Sequence, residues 1–224
     1  MSLATIDRSV VERLVREALT KRLARLPAAN GSAAAPKLVV NVSARHCHLT
    51  QEDLERLFGK GHRLTPAKWL YQEGFFAAEE TVTIIGPRHR LIPNLRILGP
   101  CRDHSQVELA FTDAIALGLD VPVRRSGDHR DSPGCYLLGP AGMIQLPRGV
   151  IRHERHVHMG PADAAFYGVR DGDRIHLRVT SSCSVVFENL LCRVDPKSKL
   201  EVHLDTDEGN ACDLSHATKV ELFR

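Results

Sequence analysis

Arg155-His-Val-His-Met159, with an aspartate four residues further on, repeats the pattern of Arg45-His-Cys-His-Leu49. The aspartates are Asp53 and Asp163, so the two copies share their spacing as well as their composition. Each copy follows an extended stretch and leads into a short segment of helical character. Because one motif occurs twice in the chain, the sequence predicts two structurally related halves.

From residue 37 onward the chain reads as short strands separated by turns. Long helical patterns are scarce in this region, which favours a β-barrel or a β-sandwich. The predicted strands are Lys37–Val42, Thr81–Ile85, Asn94–Leu98, Gln106–Phe111, Arg174–Thr180, Ser184–Leu191 and Glu201–Leu204.

The N-terminal segment has a different character. The apolar residues Ile6, Val10 and Leu14 repeat at helical spacing. Residues 1–26 are therefore predicted to form an amphipathic helix, and residues 27–36, which are mostly small or helix-breaking, form a flexible linker. Docking of this helix onto a partner assembly is the favoured interpretation. The alternatives are packing against the chain's own body and binding to a membrane surface.

Composition and charge exclude several classes of protein. The 224 residues carry a formal net charge of +3 at pH 7. Within residues 1–26 the bases outnumber the acids by three, so the body of the chain is neutral and nucleic-acid binding is not expected. No apolar run reaches the ~18 residues of a membrane span, and the first residues do not read as a secretory signal. The six cysteines contain no C-x-x-C pair, which favours reduced thiols and a cytoplasmic location.

The paired histidines are the strongest chemical signal in the sequence. Side chains at positions i and i+2 of a strand project from the same face, so His46 and His48 can reach one ion together. His156 and His158 repeat this arrangement. Since a catalytic zinc usually has three protein ligands and one open position, each pair lacks one partner.

Two segments can supply the missing ligands. Glu108 lies at the end of an apolar strand and His203 lies in a comparable place, where a buried ionisable side chain needs a partner. A single four-histidine site, and histidines satisfied by hydrogen bonds without a metal, are the alternatives to two ions. The predicted ligands are His46, His48 and Glu108 for one ion, and His156, His158 and His203 for the other.

Arg45, Arg102 and Arg155 lie beside the predicted ligands in the sequence. Guanidinium groups suit phosphate oxygens, so this placement indicates an anionic substrate. Cys101 has no positioned base in the sequence and is not expected to act as a nucleophile. The other histidines show no comparable spacing and are predicted to be ordinary surface or core residues: His62, His89, His104, His129, His153, His176 and His216.

Four segments carry a family resemblance: Val40-Asn-Val-Ser-Ala-Arg-His-Cys-His-Leu49, Gly99-Pro-Cys-Arg-Asp-His-Ser-Gln-Val-Glu108, Arg155-His-Val-His-Met159 and His203-Leu-Asp-Thr-Asp-Glu-Gly-Asn-Ala211. They resemble the phosphate propanoyltransferases, the PduL-type phosphotransacylases of bacterial microcompartments. The resemblance implies a mainly β fold, with two similar small β-barrels capped by short helices and with two zinc ions and coenzyme A in a cleft. The halves would be residues 37–149 and 150–224, with a first strand, about residues 37–46, that crosses into the second barrel.

The same resemblance implies roles for individual residues. The six predicted ligands would hold the metals, and Arg102 would contact phosphate. Contacts to coenzyme A are implied for Ser43, Lys68, Arg96 and Asn210. The ions are expected to be zinc, although cobalt or iron also suits these nitrogen and oxygen ligands.

The expected activity is that of a phosphate acyltransferase. It would interconvert a short-chain acyl-CoA, propanoyl-CoA foremost, and phosphate with acyl phosphate and coenzyme A by direct transfer. A two-metal acyl-CoA or ester hydrolase and a non-catalytic, metal-stabilised scaffold are the alternatives. Residues 5–36 resemble an encapsulation peptide, which implies a location inside a bacterial microcompartment, with residues 5–26 docked to shell or core proteins. Whether the protein is a homo-oligomer stays open.

Overall fold

The computed structural model describes residues 35–224, together with Glu12 and Val15. The predicted helix over residues 1–26 and the linker up to residue 34 otherwise lie outside the described residues. The described part is mainly β and consists of two curled half-barrel sheets with a few short helices, which confirms the predicted fold class. No helix in this part of the chain has the length and apolar character needed to traverse a bilayer.

The strands are short, and each H-x-H motif forms one of them. The strands of the described region are β1 (Val39–Val42), β2 (His46–His48), β3 (Pro66–Trp69), β4 (Phe76–Ile85), β5 (Leu91–Gly99), β6 (Gln106–Glu108), β7 (Val123–Arg124), β8 (Cys135–Leu138), β9 (Met143–Leu146), β10 (Val150–His153), β11 (His156–Met159), β12 (Arg174–Thr180), β13 (Val185–Val194), β14 (Glu201–Leu204) and β15 (Lys219–Phe223).

Four short α-helices in the same region follow the strands that carry the predicted ligands. The Thr50 hydroxyl caps the first helix by accepting a hydrogen bond from the Asp53 N–H (3.1 Å). Asp205 and Glu208 form a reciprocal capping box at the start of the last. The helices are α1 (Gln51–Phe58), α2 (Phe111–Leu117), α3 (Pro161–Tyr167) and α4 (Thr206–Ala211), and a 3-10 turn covers Leu214–His216.

The strand predicted over Gln106–Phe111 is shorter in the structure. Strand β6 ends at Glu108, and Phe111 begins helix α2. The apolar run continues through this junction because Leu109 and Ala110 are buried there, and the helix adds Ala114 and Leu117 to the same core. A short apolar run does not by itself distinguish a strand from a buried helix, which explains the error.

The strands form two sheets. A nine-stranded sheet has the order β7-β10-β6-β2-β5-β4-β8-β9, with β3 paired to β4. A six-stranded sheet has the order β1-β14-β11-β13-β12-β15. The first contains β2 with the first H-x-H motif, and the second contains β11 with the other, so the motifs occupy corresponding inner positions of different sheets.

The two sheets exchange strands. Strand β1 precedes β2 in the chain but pairs in parallel with β14 of the six-stranded sheet. Strand β10 precedes β11 but pairs in parallel with β6 of the nine-stranded sheet. Each H-x-H strand therefore follows a strand that belongs to the other sheet, which ties the two sheets together beside the motifs. The division of the chain into residues 37–149 and 150–224 stays a prediction.

Each sheet has its own hydrophobic core. Leu54, Ile84 and Ile97 are fully buried in the core of the nine-stranded sheet. Ile175 and Leu177, which alternate along β12, are fully buried in that of the six-stranded sheet. Burying one such side chain stabilises the folded state by roughly 1.5–3 kcal/mol. The two cores therefore stabilise the sheets that carry the H-x-H motifs.

Candidate metal centre

The first group of candidate ligands lies on β2 and β6. His46 and His48 project from one face of β2, and their ring centroids are 5.0 Å apart. Glu108 faces His46 across the antiparallel pair of β2 and β6. Its carboxylate oxygens lie 3.4 Å from His46 Nε2 and 3.9 Å from His48 Nε2. We call these three residues the N-terminal triad.

The second group has the same plan on β11 and β14. The ring centroids of His156 and His158 are 4.9 Å apart, and His203 faces His156 across the antiparallel pair of β11 and β14. The rings of His156 and His203 stack with centroids 4.9 Å apart. We call these three residues the C-terminal triad. Within each triad the potential ligand atoms lie within 4.8 Å of one another, which is the grouping predicted for two ions.

Backbone carbonyls orient the first histidine of each triad. His46 Nδ1 lies 2.8 Å from the Ala44 carbonyl oxygen, and His156 Nδ1 lies 2.7 Å from that of Glu154. Because a carbonyl can only accept a hydrogen bond, Nδ1 carries the proton in both rings. The Nε2 lone pair of each ring is then free, and this is how metal-binding histidines are commonly oriented.

The protonation states also suit a cation. Burial lowers the pKa of His46 and lowers the pKa of His48 to about 3. Burial and the neighbouring His203 lower the pKa of His158 to about 3. Burial acts to raise the pKa of Glu108, but the nearby imidazoles, His46 foremost, hold it below its usual range. At neutral pH, His46, His48 and His158 are therefore neutral and Glu108 is ionised, the forms that bind metals.

His153, predicted to be an ordinary surface or core residue, is buried close to both triads. Its side chain is 4% exposed, and its Nε2 atom has no hydrogen-bond partner in the described chain. Its ring centroid is 5.7 Å from that of His156, and its proximity affects the pKa of both His46 and Glu108. A signal was available, because His153 and Ser43 each lie three residues before the first histidine of a motif.

The three arginines beside the ligands have different surroundings. Arg45 forms an ion pair with Asp113 (2.9 Å), and Arg155 forms one with Glu208 (2.9 Å). Both guanidinium groups therefore have a carboxylate partner, and their role in binding an anionic substrate stays a prediction. Arg102 has no carboxylate partner in the described region and donates instead to the Ser126 hydroxyl (3.1 Å). Burial lowers the pKa of Arg102, and the nearby Glu108 opposes this effect.

A second arginine near the triads was missed. Arg193 on β13 faces His158 in the parallel register with β11, so both side chains lie on the same face. It is half-buried and forms no ion pair within the described residues. Burial and the nearby Arg125 lower its pKa, an effect that Glu108 opposes. No local sequence pattern links Arg193 to the triads, because it is 35 positions from His158 in the sequence.

The residues predicted to contact coenzyme A occupy several elements. Ser43 is half-buried, and its backbone N–H donates to the Leu204 carbonyl (2.7 Å). Arg96 faces His46 across β2 and β5 and donates to a backbone carbonyl of β4. Lys68 on β3 and Asn210 near the end of α4 are exposed. No hydrogen bond joins any two of these four described residues, and their contact with coenzyme A stays a prediction.

The chain matches the model of one protein family, described as phosphate propanoyltransferase, over residues 39–215. The chain belongs to the phosphate propanoyltransferase family. The matched region contains both triads, Arg102 and every strand except β15, so the family assignment covers the whole candidate centre.

Relatives with the name phosphate propanoyltransferase come from several organisms. The enzyme of Planctopirus limnophila is 59% identical over 225 residues, which cover 98% of this chain and 92% of the relative. That of Thermotoga maritima is 49% identical over 181 residues, which cover 80% of this chain and 86% of the relative. That of Salmonella typhimurium is 45% identical over 173 residues, which cover 77% of this chain and 81% of the relative. Each bears the name phosphate propanoyltransferase, which supports transferase activity for this chain.

Proposed function

We propose that this protein is a phosphate acyltransferase that interconverts a short-chain acyl-CoA and phosphate with acyl phosphate and coenzyme A. Propanoyl-CoA is the expected acyl donor. Family membership supports the reaction class. The observation that carries the proposal is the pair of matched triads next to Arg102, a half-buried arginine without a carboxylate partner in the described chain. Such an arginine suits a phosphate oxygen.

Each triad would hold one divalent ion, zinc by preference and otherwise cobalt or iron. His46, His48 and Glu108 would hold the first, and the three histidines of the C-terminal triad the second. Bound ions of this kind polarise carbonyl groups and stabilise developing negative charge. Three protein ligands for each ion leave a coordination position open, as in catalytic zinc sites.

The chain's own side chains would bind and orient both substrates. Arg102 would hold phosphate, and Ser43, Lys68, Arg96 and Asn210 would hold coenzyme A. A phosphate oxygen then forms a bond to the thioester carbonyl carbon, the carbon–sulfur bond breaks, and the sulfur keeps the electron pair as coenzyme A leaves. Holding both reactants in one orientation accounts for a large part of such a rate enhancement, and no covalent enzyme intermediate is required.

The decisive experiment measures thiol release from propanoyl-CoA with and without phosphate, before and after chelation, together with elemental analysis. We expect two metal ions per chain and thiol release that requires both phosphate and metal. A hydrolase would release thiol without phosphate, and a scaffold would bind metal but release no thiol. Either result would refute the proposal.

Arg102→Ala tests the phosphate role directly. We expect the KM for phosphate to rise by at least about tenfold, since a charged hydrogen bond is lost, while the metal content is unchanged. Arg45→Ala is the matched control, because Arg45 adjoins His46 in the sequence but forms an ion pair with Asp113. Equal loss of metal and phosphate binding in the Arg102 variant would indicate a structural role instead.

We further propose that residues 5–26 dock onto shell or core proteins and place the enzyme inside a bacterial microcompartment. Deleting residues 1–26 should leave thiol release intact and abolish co-purification with shell proteins. The full-length chain, prepared in parallel, is the control. An inactive truncated enzyme, or one that still co-purifies with the shell, would contradict the docking role.

A further inference from the structure

A loop after strand β7 brings a serine to the edge of the N-terminal triad. The Asp128 N–H donates to the Arg125 carbonyl (2.9 Å), which closes a turn around Ser126 and Gly127. Gly127 has a φ of 94°, a conformation that favours glycine. The Ser126 side chain thereby lies between Arg102 and Glu108, residues that come from separate segments of the chain.

The hydrogen bonds of Ser126 have directions that chemistry fixes. Arg102 has no acceptor atoms, so its guanidinium donates to Ser126 Oγ (3.1 Å). The ionised Glu108 has no proton, so the Ser126 hydroxyl donates to Glu108 Oε1 (2.9 Å). One hydroxyl thus connects the arginine expected to hold phosphate to the carboxylate expected to hold a metal.

Gln106 holds this serine and its loop in place. Its amide nitrogen donates to Ser126 Oγ (3.0 Å) and to Glu108 Oε1 (2.5 Å). Its amide oxygen accepts from the Gly127 N–H (2.7 Å) and lies 2.9 Å from His129 Nε2. Gln106 is fully buried, and its two N–H donors and its carbonyl oxygen all have partners. The network therefore leaves the serine hydroxyl without freedom to rotate.

We propose that Ser126 is a positioning residue that fixes the Arg102 guanidinium relative to Glu108. The inference rests on the proposed function for the identity of the anion, inorganic phosphate or the phosphoryl group of acyl phosphate. The Ser126 hydroxyl is the side-chain partner of Arg102 among the described residues. Without it, the guanidinium would be free to leave the orientation that phosphate requires. Glu108 would keep its hydrogen bond from Gln106 and lose the one from the serine.

Ser126→Ala should raise both the KM and the calorimetric dissociation constant of inorganic phosphate by about tenfold or more, because the Arg102 guanidinium loses the charged hydrogen bond that orients it. The KM for propanoyl-CoA should stay at the wild-type value. Zinc affinity, measured on the chelated protein by competition, should fall as well. Ser126→Thr keeps the hydroxyl and should restore phosphate binding.

Ser132→Ala is the matched control. Ser132 lies in the same region, where its hydroxyl donates to the His129 carbonyl (2.8 Å) and accepts from the Gly149 N–H (2.9 Å), but it contacts neither Arg102 nor Glu108. Equal losses of phosphate affinity in the Ser126→Ala and Ser132→Ala variants would overturn the proposal. A Ser126→Ala variant that loses affinity for zinc alone, or that loses affinity for phosphate and propanoyl-CoA equally, would also overturn it. Failure of Ser126→Thr to restore phosphate binding would also overturn it.

The outcomes separate this inference from the proposed function. If the wild-type protein releases no thiol from propanoyl-CoA and phosphate, the proposed function fails. Calorimetry with inorganic phosphate on the zinc-loaded wild-type and variant proteins still decides the role of Ser126 in that case. Wild-type phosphate binding that Ser126→Ala leaves unchanged would refute the inference while the acyltransferase activity stands.

Discussion

The two triads share a backbone plan and differ in one ligand. In each, a strand with alternate histidines has an antiparallel neighbour that places the third residue opposite the first histidine. In each, a carbonyl two residues earlier accepts the Nδ1 proton of that histidine. The third residue is the carboxylate Glu108 in the N-terminal triad and the imidazole His203 in the C-terminal triad.

This single difference changes the electrostatics of the two sites. A carboxylate, Glu108, is a member of the N-terminal triad, whereas the C-terminal triad has a carboxylate only beside it, since Glu201 lies 3.2 Å from His203 Nε2. A divalent cation would therefore have a carboxylate as a direct ligand at the N-terminal triad and only a neighbouring carboxylate at the C-terminal triad. The comparison teaches that a repeated strand arrangement can hold two similar ligand geometries while the facing residue decides whether the carboxylate is a ligand or a neighbour of one.

Removing the third ligand from either triad is expected to have the largest effect. Glu108→Ala and His203→Ala should each lower thiol release by at least about 1,000-fold, since metal-derived stabilisation of several kcal/mol is lost. Elemental analysis should show a fall from two ions to one per chain. His216→Ala, which changes an exposed histidine paired with Asp213, should match the wild type. A variant that keeps full turnover with one ion would show that the two triads are not functionally equivalent.

The second largest effect concerns the ion pairs near the two triads, which should differ in how much they stabilise the fold. Arg152, 13% exposed, pairs with the buried Asp205 and with Glu208 (2.9 Å), which lie beside the C-terminal triad's strand. Arg152→Ala should lower the free energy of unfolding by about 3–5 kcal/mol, because the buried Asp205 loses its ion-pair partner and Glu208 keeps only Arg155.

The corresponding change near the N-terminal triad should be small. Arg45 is 45% exposed, and Arg45→Ala should cost at most about 1 kcal/mol. Urea unfolding of the two variants measures the difference. Equal losses would show that the exposed Arg45 pair supports its half of the molecule as strongly as the buried network does.

Acid should weaken the metal-free protein through both triads. The pKa values of His48 and His158 are about 3 in the folded chain, against 6.5 for a free histidine. The unfolded chain therefore takes up protons first, so this stability is complete above pH 6.5 and is lost progressively as the pH falls towards 3. Urea unfolding should show a slope of roughly 1.4 kcal/mol per pH unit for each such histidine. His48→Gln or His158→Gln should reduce that slope, and an unchanged slope would contradict the assignment.

Local sequence patterns were enough to predict several elements of the centre. The spacing of His46 and His48, and of His156 and His158, requires an extended strand for each pair to share a face, and β2 and β11 provide it. Glu108 and His203 were predicted because an ionisable group in an apolar strand needs a partner. The structure places each of them opposite a histidine, although metal binding itself stays a prediction.

Other features depend on contacts between distant segments. Short strands such as β7 and β10 carry weak local signals and were not predicted, although β10 delivers His153 close to both triads. The serine network was also invisible in the sequence, because Arg102, Gln106 and Ser126 meet only when the loop after β7 folds back onto β6. The acidic partners of Arg45 and Arg155 lie on α2 and α4, far from these arginines in the sequence, so the ion pairs have no local signal.

The sequence by itself determined that two H-x-H strands exist and that their chemistry suits a metal, because side-chain direction in a strand follows from a two-residue period. The tertiary structure decided which residue faces each pair and how the sheets exchange β1 and β10. It also decided which arginines pair with carboxylates. Register, crossover and ion pairing join residues that are far apart in the chain, so no local pattern encodes them.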